Sequence, residues 1–219
     1  MSNDTSVKEL LKQMLTSKKI LNCILIVVIP ALLFYIISMV TMKSQGFGVV
    51  EILRDPAQQS GASSFLGFLS NVGIFLWISS TALSFFFAFT KSVLKNKMHK
   101  ELFFLVGSLS FLLAIDDFFM IHDRYIDQKI CYLTYAVCLG FIFVRHLKTI
   151  VKIDGFAFVL AGTFLALSIF ADLMEKRTSF SYEQVQVIEE AFKFVGAATW
   201  LYFVSRLATF FIASSRENN

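Results

Sequence analysis

The sequence predicts an all-α, polytopic membrane helical bundle with six transmembrane helices and a short N-terminal interfacial amphipathic helix. Of the 219 residues, 56% are hydrophobic, and 26 are phenylalanine. The mean hydropathy is +0.68. Soluble domains are about 45–50% apolar even when glycine is counted, and a soluble fold of this size would not bury so much apolar surface.

Apolar runs near the length of a membrane-spanning helix, about 20 residues, recur along the chain. They lack the strict alternation of barrel strands, so helices are expected. The six predicted segments are about Ile20–Met42, Phe65–Thr90, Glu101–Ile121, Ile130–Val144, Gly155–Leu173 and Val187–Ala213. The fourth is the shortest. The domain prediction is therefore a cytoplasmic segment over 1–19, a transmembrane domain over 20–213 and a cytoplasmic tail over 214–219.

The N-terminal segment 1–19 has the pattern of a separate helix. Ser6 and Glu9 match a capping box, and apolar residues follow at helical spacing. Its lysines suit lipid phosphates, which favours a helix lying on the cytoplasmic surface. The alternative is a solvated helix end that extends the first segment. We expect no cleavable signal peptide, because the polar start precedes the apolar run without a cleavage site.

Lysine and arginine predict the orientation. If both termini lie on one side, that side holds 13 of these residues and the other side 6, leaving out Lys193 within segment six. Positively charged loops stay in the cytoplasm, so both termini are predicted to be cytoplasmic. The protein is predicted to lie in the inner (plasma) membrane of a bacterium.

No basic patch interleaved with aromatic residues is present, so no nucleic acid partner is expected. Cys23, Cys131 and Cys138 fall in apolar segments and predict buried thiols rather than disulfides or a zinc motif.

Two adjacent acids, Asp116 and Asp117, interrupt the apolar run 103–121 and are followed by His122. A carboxylate costs roughly 2.5–3.5 kcal/mol at the bilayer centre on insertion scales, so such acids face protein groups, water or a cation. Residues about 100° apart on a helix point to different neighbours, so one acid is expected to face the bundle centre and the other a helix seam.

Other segments bring polar residues to the same predicted depth, within roughly 10 Å of the external membrane face. The candidates in this set are Asn71, Asp116, Asp117, His122, Asp172, Glu175, Glu189, Glu190 and Lys193. Glu189 and Glu190 are expected in the first turn of segment six, where the helix dipole favours acids. The spacing of Glu189 and Lys193 predicts an ion pair. His99 and His146 lie among cytoplasmic basic residues and are expected to be interface residues.

Cation binding is the leading functional prediction. Carboxylates with one imidazole suit a divalent cation such as zinc, calcium, magnesium or manganese. The predicted metal ligands are Asp116, Asp117, His122, Asp172, Glu175, Glu189 and Glu190, with Asn71 and Lys193 in support. If the bound metal activates water, the protein would be a metal-dependent membrane hydrolase with Asp117 and His122 as catalytic groups.

Two other classes fit the same residues. A proton- or ion-coupled transporter or channel would use the acids as an outer vestibule or relay. A structural or interaction subunit, such as a homo-oligomer in the lipid bilayer, would use them as an ion-pair network. Haem is not expected, because no two histidines share a depth on facing helices. Retinal is not expected, because no lysine is predicted at mid-membrane.

Overall fold

The computed structural model describes residues 21, 25, 28–53, 56–63, 65–90, 97–174 and 181–217. It forms two compact units, Met1–Leu66 and Gly67–Asn219. The first contains helices α1 (Ile29–Ser44), α2 (Val49–Leu53) and α3 (Pro56–Ser60). The second contains α4 (Phe68–Ala88), α5 (Lys97–Phe119), α6 (Ile121–Arg124), α7 (Gln128–Met174) and α8 (Tyr182–Glu217).

The all-α prediction is confirmed, because the described residues contain helices and no strand. Within these residues, α4, α5, α7 and α8 are each long and apolar enough to cross a membrane. The count of six spans stays a prediction. The first predicted segment is described continuously only from residue 28, and α1 has 16 residues. The predicted amphipathic helix over 1–19 lies outside the described residues.

Helix α7 is a hairpin of two arms rather than one rod. A straight helix of its 47 residues would measure about 70 Å, more than twice the bilayer core. Helical geometry is interrupted at His146 (φ −117°, ψ 19°) and Asp154 (φ −167°, ψ 75°). The Tyr132 hydroxyl donates to Asp172 Oδ2 at 2.9 Å, so the first arm (residues 128–145) and the second arm (residues 155–174) run antiparallel. The arms coincide with the fourth and fifth predicted segments.

Large aromatic side chains form the core of the second unit. Trp77, Phe103, Trp200 and Phe203 are almost fully buried. Large apolar side chains also cover its outside; Val144, for example, is 77% exposed. Soluble monomers rarely expose contiguous apolar patches of more than a few hundred Å², so this surface requires an apolar surrounding.

Helix α8 begins earlier than predicted. Ser181 and Gln184 form a reciprocal capping box: Ser181 N donates to Gln184 Oε1 at 3.0 Å, and Gln184 N donates to Ser181 Oγ at 3.3 Å. Glu189 and Glu190 therefore lie about two turns inside the helix, and their predicted first-turn position is wrong. The Ser-x-x-Gln pattern was a sequence signal for this start.

Candidate functional site

The acidic site lies at one end of the second unit. Helix α5 ends there, α7 both begins and ends there, and α8 begins there. The first few turns of α4, α7 and α8 thus meet the last turns of α5 and of the second arm of α7, which brings side chains from distant parts of the chain together. Each acid lies in an apolar helix, so its partners determine its chemistry.

Asp116 is bound by the turn that follows its own helix. Met120 has φ +51° and reverses the chain after α5. His122 N then donates to Asp116 Oδ1 at 2.9 Å, and His122 Nδ1 lies 2.7 Å from Asp116 Oδ2. A carboxylate only accepts, so Nδ1 carries the proton and Nε2 is the free ring nitrogen of the neutral imidazole. Asp116 is 4% exposed, and Tyr135 also hydrogen-bonds to it.

The hydrogen bond with Asp116 raises the pKa of His122 above its ordinary value of 6.5, although burial opposes the shift. The His122 side chain is 12% exposed. Its Nε2 lies 3.5 Å from Oδ1 of Asp123, whose side chain is 55% exposed. The imidazolium is therefore stabilised mainly from the Asp116 side of the ring.

Asp117 faces different helices from its neighbour. Trp77 Nε1, on α4, donates to Asp117 Oδ2 at 3.1 Å. Lys193 Nζ, on α8, lies 3.4 Å from Asp117 Oδ1 and 2.9 Å from Glu190 Oε1. The predicted pair of Glu189 with Lys193 is therefore wrong: the ammonium pairs with Glu190, one turn before it, and with Asp117 across the helix interface.

The remaining acids bind neutral donors. Asp172 Oδ2 accepts from Tyr132, and also from Gln128 Nε2 on the same arm as Tyr132. Glu189 is 8% exposed and accepts from Gln186 Nε2 at 3.0 Å. Among the described residues, no cation forms an ion pair with either carboxylate.

Two cavities meet at these acids. The outer one, here called the vestibule, has a volume of about 840 Å³. The inner one, here called the chamber, has a volume of about 130 Å³. The vestibule is lined by Ser70, Asp117, Met120, His122, Asp123, Gln128, Lys129, Phe170, Asp172, Leu173, Met174, Tyr182, Gln186, Glu189, Glu190 and Lys193. The chamber is lined by Trp77, Leu109, Leu113, Asp116, Asp117, His122, Tyr132, Tyr135, Ala136, Leu139, Gly162, Leu165, Ala166, Ser168, Ile169, Glu189, Lys193 and Trp200.

The two linings differ in chemistry but share four members. The described lining of the vestibule contains five carboxylates, two lysines and His122. Aliphatic and aromatic side chains dominate the chamber. The shared residues are Asp117, His122, Glu189 and Lys193. They form a charged collar between a polar compartment and an apolar one.

The structure therefore brings most, but not all, of the site residues predicted from the sequence to the two cavities. Asp116, Asp117, His122, Asp172, Glu189, Glu190 and Lys193 each line at least one of the two cavities. Asn71 is exposed and lines neither. Glu175 lies outside the described residues. No group of three or more His, Cys, Asp or Glu side chains suited to a metal ion occurs among the described residues, so the metal-ligand role stays a prediction.

Sequence reasoning missed the neutral partners of the acids. Trp77, Gln128, Tyr132 and Tyr135 hold the carboxylates, and Trp200 Nε1 donates to Ser110 Oγ at 2.8 Å beside the chamber. Polar-tipped aromatic residues need partners when they are buried, so tyrosine and tryptophan in apolar runs were the available signal.

A second polar cluster lies near the beginning of α5 and at the break between the two arms of α7. Arg145 Nε lies 3.0 Å from Glu101 Oε1. His146 is 3% exposed, and its predicted depth at the membrane interface stays a prediction. The first arm of α7 breaks at this residue. The ring of His99 contacts Phe211, with the ring centroids 4.3 Å apart.

The fold and site together define an apolar helical bundle with a charged, two-part cavity at one end. A family model described as a domain of unknown function, DUF8692, matches residues 22–207. Because this match covers most of the chain, the protein belongs to that family. No curated protein and no solved structure matches the chain.

Proposed function

We propose that this is a multi-pass membrane protein that binds a cation in the vestibule, at the external face of the membrane. The excess of carboxylates over lysines in the described lining carries this proposal. Acids in apolar helices are costly, and in membrane proteins they mark ligand or ion sites. A cavity lined by one sign of charge and bounded by apolar walls concentrates counter-ions.

Membrane insertion is supported by the apolar outer surface and by four helices of spanning length and composition. The distribution of lysine and arginine supports cytoplasmic termini and an external vestibule in the inner (plasma) membrane. A fluorescent reporter that folds only in the cytoplasm, fused after Asn219, should be active. A periplasmic phosphatase at the same position should be inactive. The reverse result would contradict the orientation.

An organic ammonium group fits this site better than a metal ion. A metal ion needs several oxygen or nitrogen ligands converging at about 2.0–2.6 Å. An ammonium needs hydrogen-bond acceptors and nearby negative charge, which Asp172 and Glu189 offer without a cation paired to either among the described residues. Aromatic faces add further attraction for such a cation, and Tyr132 stands beside Asp172.

Titration calorimetry on the detergent-solubilised protein tests this function. Alkylammonium ions should bind, and the Glu189→Gln variant should weaken binding about tenfold, because it removes a buried carboxyl group from the collar. Glu183→Gln is the matched control, since Glu183 is exposed on the same helix and lines neither cavity. Elemental analysis after metal-supplemented purification tests the alternative. A stoichiometric metal lost in Glu189→Gln would replace the ammonium proposal with a metal site.

Acid–base catalysis is a second candidate, favoured by the geometry of His122. Asp116 fixes Nδ1 as the protonated nitrogen, which leaves Nε2, 3.5 Å from Asp123 Oδ1, as the nitrogen that can act as a base. Nε2 would accept a proton from a water molecule or substrate hydroxyl as that oxygen attacks, and would then return it to the leaving group. His122→Gln should abolish turnover of any substrate that the wild-type protein hydrolyses. Unchanged turnover would exclude this role.

A further inference from the structure

We infer that the ligand is an amphiphilic ammonium whose compact apolar group occupies the chamber while its charged head stays in the vestibule. This inference rests on the proposed function and adds the class of ligand. The supporting relationship is the collar: Asp117, His122, Glu189 and Lys193 line both cavities. One molecule crossing the collar would therefore meet acids on one side and hydrocarbon on the other.

The volume of the chamber limits the size of the apolar group. A dry engineered cavity of about 150 Å³ lined by aliphatic and aromatic side chains binds benzene. The chamber measures about 130 Å³ and has side chains of the same kind, including Leu109, Leu139 and Leu165. A phenyl ring or a short branched alkyl group fits this space.

The aromatic walls are held in fixed orientations. Asp117 accepts from the Trp77 indole, and Ser110 accepts from the Trp200 indole. Trp77 and Trp200 are 1% and 0% exposed, so neither ring is free to swing into the chamber and fill it. A preformed apolar cavity gains affinity from each apolar atom it covers. Each buried methylene should strengthen binding about fourfold.

The tryptophans of the protein can report on ligand binding in the chamber. It has two tryptophans, and both line the chamber. Intrinsic tryptophan fluorescence therefore reports entry of a ligand without any added label. Calorimetry on the same samples reports binding in either cavity.

The experiment compares methylammonium, butylammonium, benzylammonium and neutral benzyl alcohol, using the full chain in detergent. Benzylammonium should bind at least tenfold more tightly than methylammonium and should change tryptophan emission saturably. Methylammonium should bind without that change. Benzyl alcohol should bind more weakly than benzylammonium, because it lacks the charge that the collar recognises.

Two variants add bulk to the chamber lining from opposite arms of α7, Ala166→Leu and Ala136→Leu, both at exposed positions. Each should remove the advantage of benzylammonium and leave methylammonium binding within twofold. Thr163→Leu is the control, since it adds similar bulk at an exposed position of the second arm outside the lining. Thermal unfolding shows whether each variant is folded. If one of the two variants fails to fold, the other still tests the inference.

The outcomes separate the two proposals. Equal binding of methylammonium and benzylammonium, unaffected by either filling variant, would overturn the amphiphile inference and leave the cation site standing. Benzyl alcohol binding as tightly as benzylammonium, with no effect of Glu189→Gln, would overturn the cation function while leaving an apolar site. Absence of binding by every probe would overturn both.

Discussion

Both oxygens of the Asp116 carboxylate contact one residue: Oδ1 accepts from the backbone N–H of His122, and Oδ2 lies 2.7 Å from its Nδ1. The two residues are six apart and are joined by the left-handed turn at Met120. A carboxylate near the end of an apolar helix thus fixes both the backbone of the turn and the proton of the imidazole. Because His122 lines the vestibule, the same carboxylate sets both the protonation of this ring and its position in the vestibule wall.

Stability should depend on pH through His122. Its pKa is raised in the folded protein, so protonation stabilises the fold. That contribution is fully present below the ordinary value of 6.5 and is lost as pH rises through the raised folded value. The melting temperature of the solubilised protein should therefore fall as pH increases from about 6 upward.

Asp116→Asn should flatten this dependence and lower stability by about 1.5–3 kcal/mol at pH 6, because it removes a charged hydrogen-bond partner. Asp123→Asn is the control, since Asp123 is exposed and 3.5 Å from Nε2, and it should change little. An unaltered pH profile in Asp116→Asn would assign the titration to another group.

Lys193 should be important because it neutralises a nearly buried carboxylate. The Asp117 side chain is 11% exposed and lies 3.4 Å from the ammonium. Lys193→Met leaves that carboxylate with the Trp77 donor alone among the described residues, so the free energy of unfolding should drop by on the order of 3 kcal/mol. Chemical unfolding in detergent measures this change in the free energy of unfolding. Adding Asp117→Asn should recover much of the loss, because the amide oxygen still accepts from Trp77.

The matched control is Arg145→Met, at the break between the two arms of α7. Arg145 also bridges a carboxylate, Glu101, at 3.0 Å, but its side chain is 49% exposed. Exposed pairs contribute about 0–1 kcal/mol, so this change should be small. Equal losses from Lys193→Met and Arg145→Met, or no recovery in the double variant, would contradict a burial-dependent role for Lys193.

The sequence predicted helix type and most helix positions because apolar runs of about 20 residues have few alternatives. It also indicated that Asp116, Asp117, Asp172 and Glu189 belong to one end of the bundle. It did not predict their partners. Spacing along one helix favoured Glu189 for Lys193, whereas tertiary packing brought Asp117 within reach. The Asp116–His122 contact depends on a positive φ at Met120, and no local pattern indicates that conformation in a methionine.

The hydrogen bond between Trp200 and Ser110 should stabilise the wall of the chamber. Both residues are fully buried, and the indole N–H has Ser110 Oγ as its partner at 2.8 Å. Ser110→Ala leaves a buried donor unsatisfied, so unfolding should become easier by about 1–3 kcal/mol. A red or blue shift in tryptophan emission should accompany the loss. Ser80→Ala is the control, because the buried Ser80 hydroxyl donates to the carbonyl of Leu76 in its own helix and has no other hydrogen-bond partner among the described residues. Similar losses in both variants would indicate a general effect of removing hydroxyl groups.

The turn at Met120 should store backbone strain that glycine relieves. Met120 has φ +51° and ψ +48°, a left-handed conformation that costs a side-chain-bearing residue roughly 1–2 kcal/mol. Glycine adopts it freely but loses more entropy on folding, by about 0.5–1 kcal/mol. Met120→Gly should therefore be neutral or stabilising by up to about 1 kcal/mol in thermal unfolding. Phe119→Gly, one residue earlier within α5, should destabilise the protein by about 1 kcal/mol, because glycine weakens a right-handed helix. If both substitutions destabilise equally, the left-handed turn is not a source of strain, and the close approach of His122 to Asp116 needs another cause.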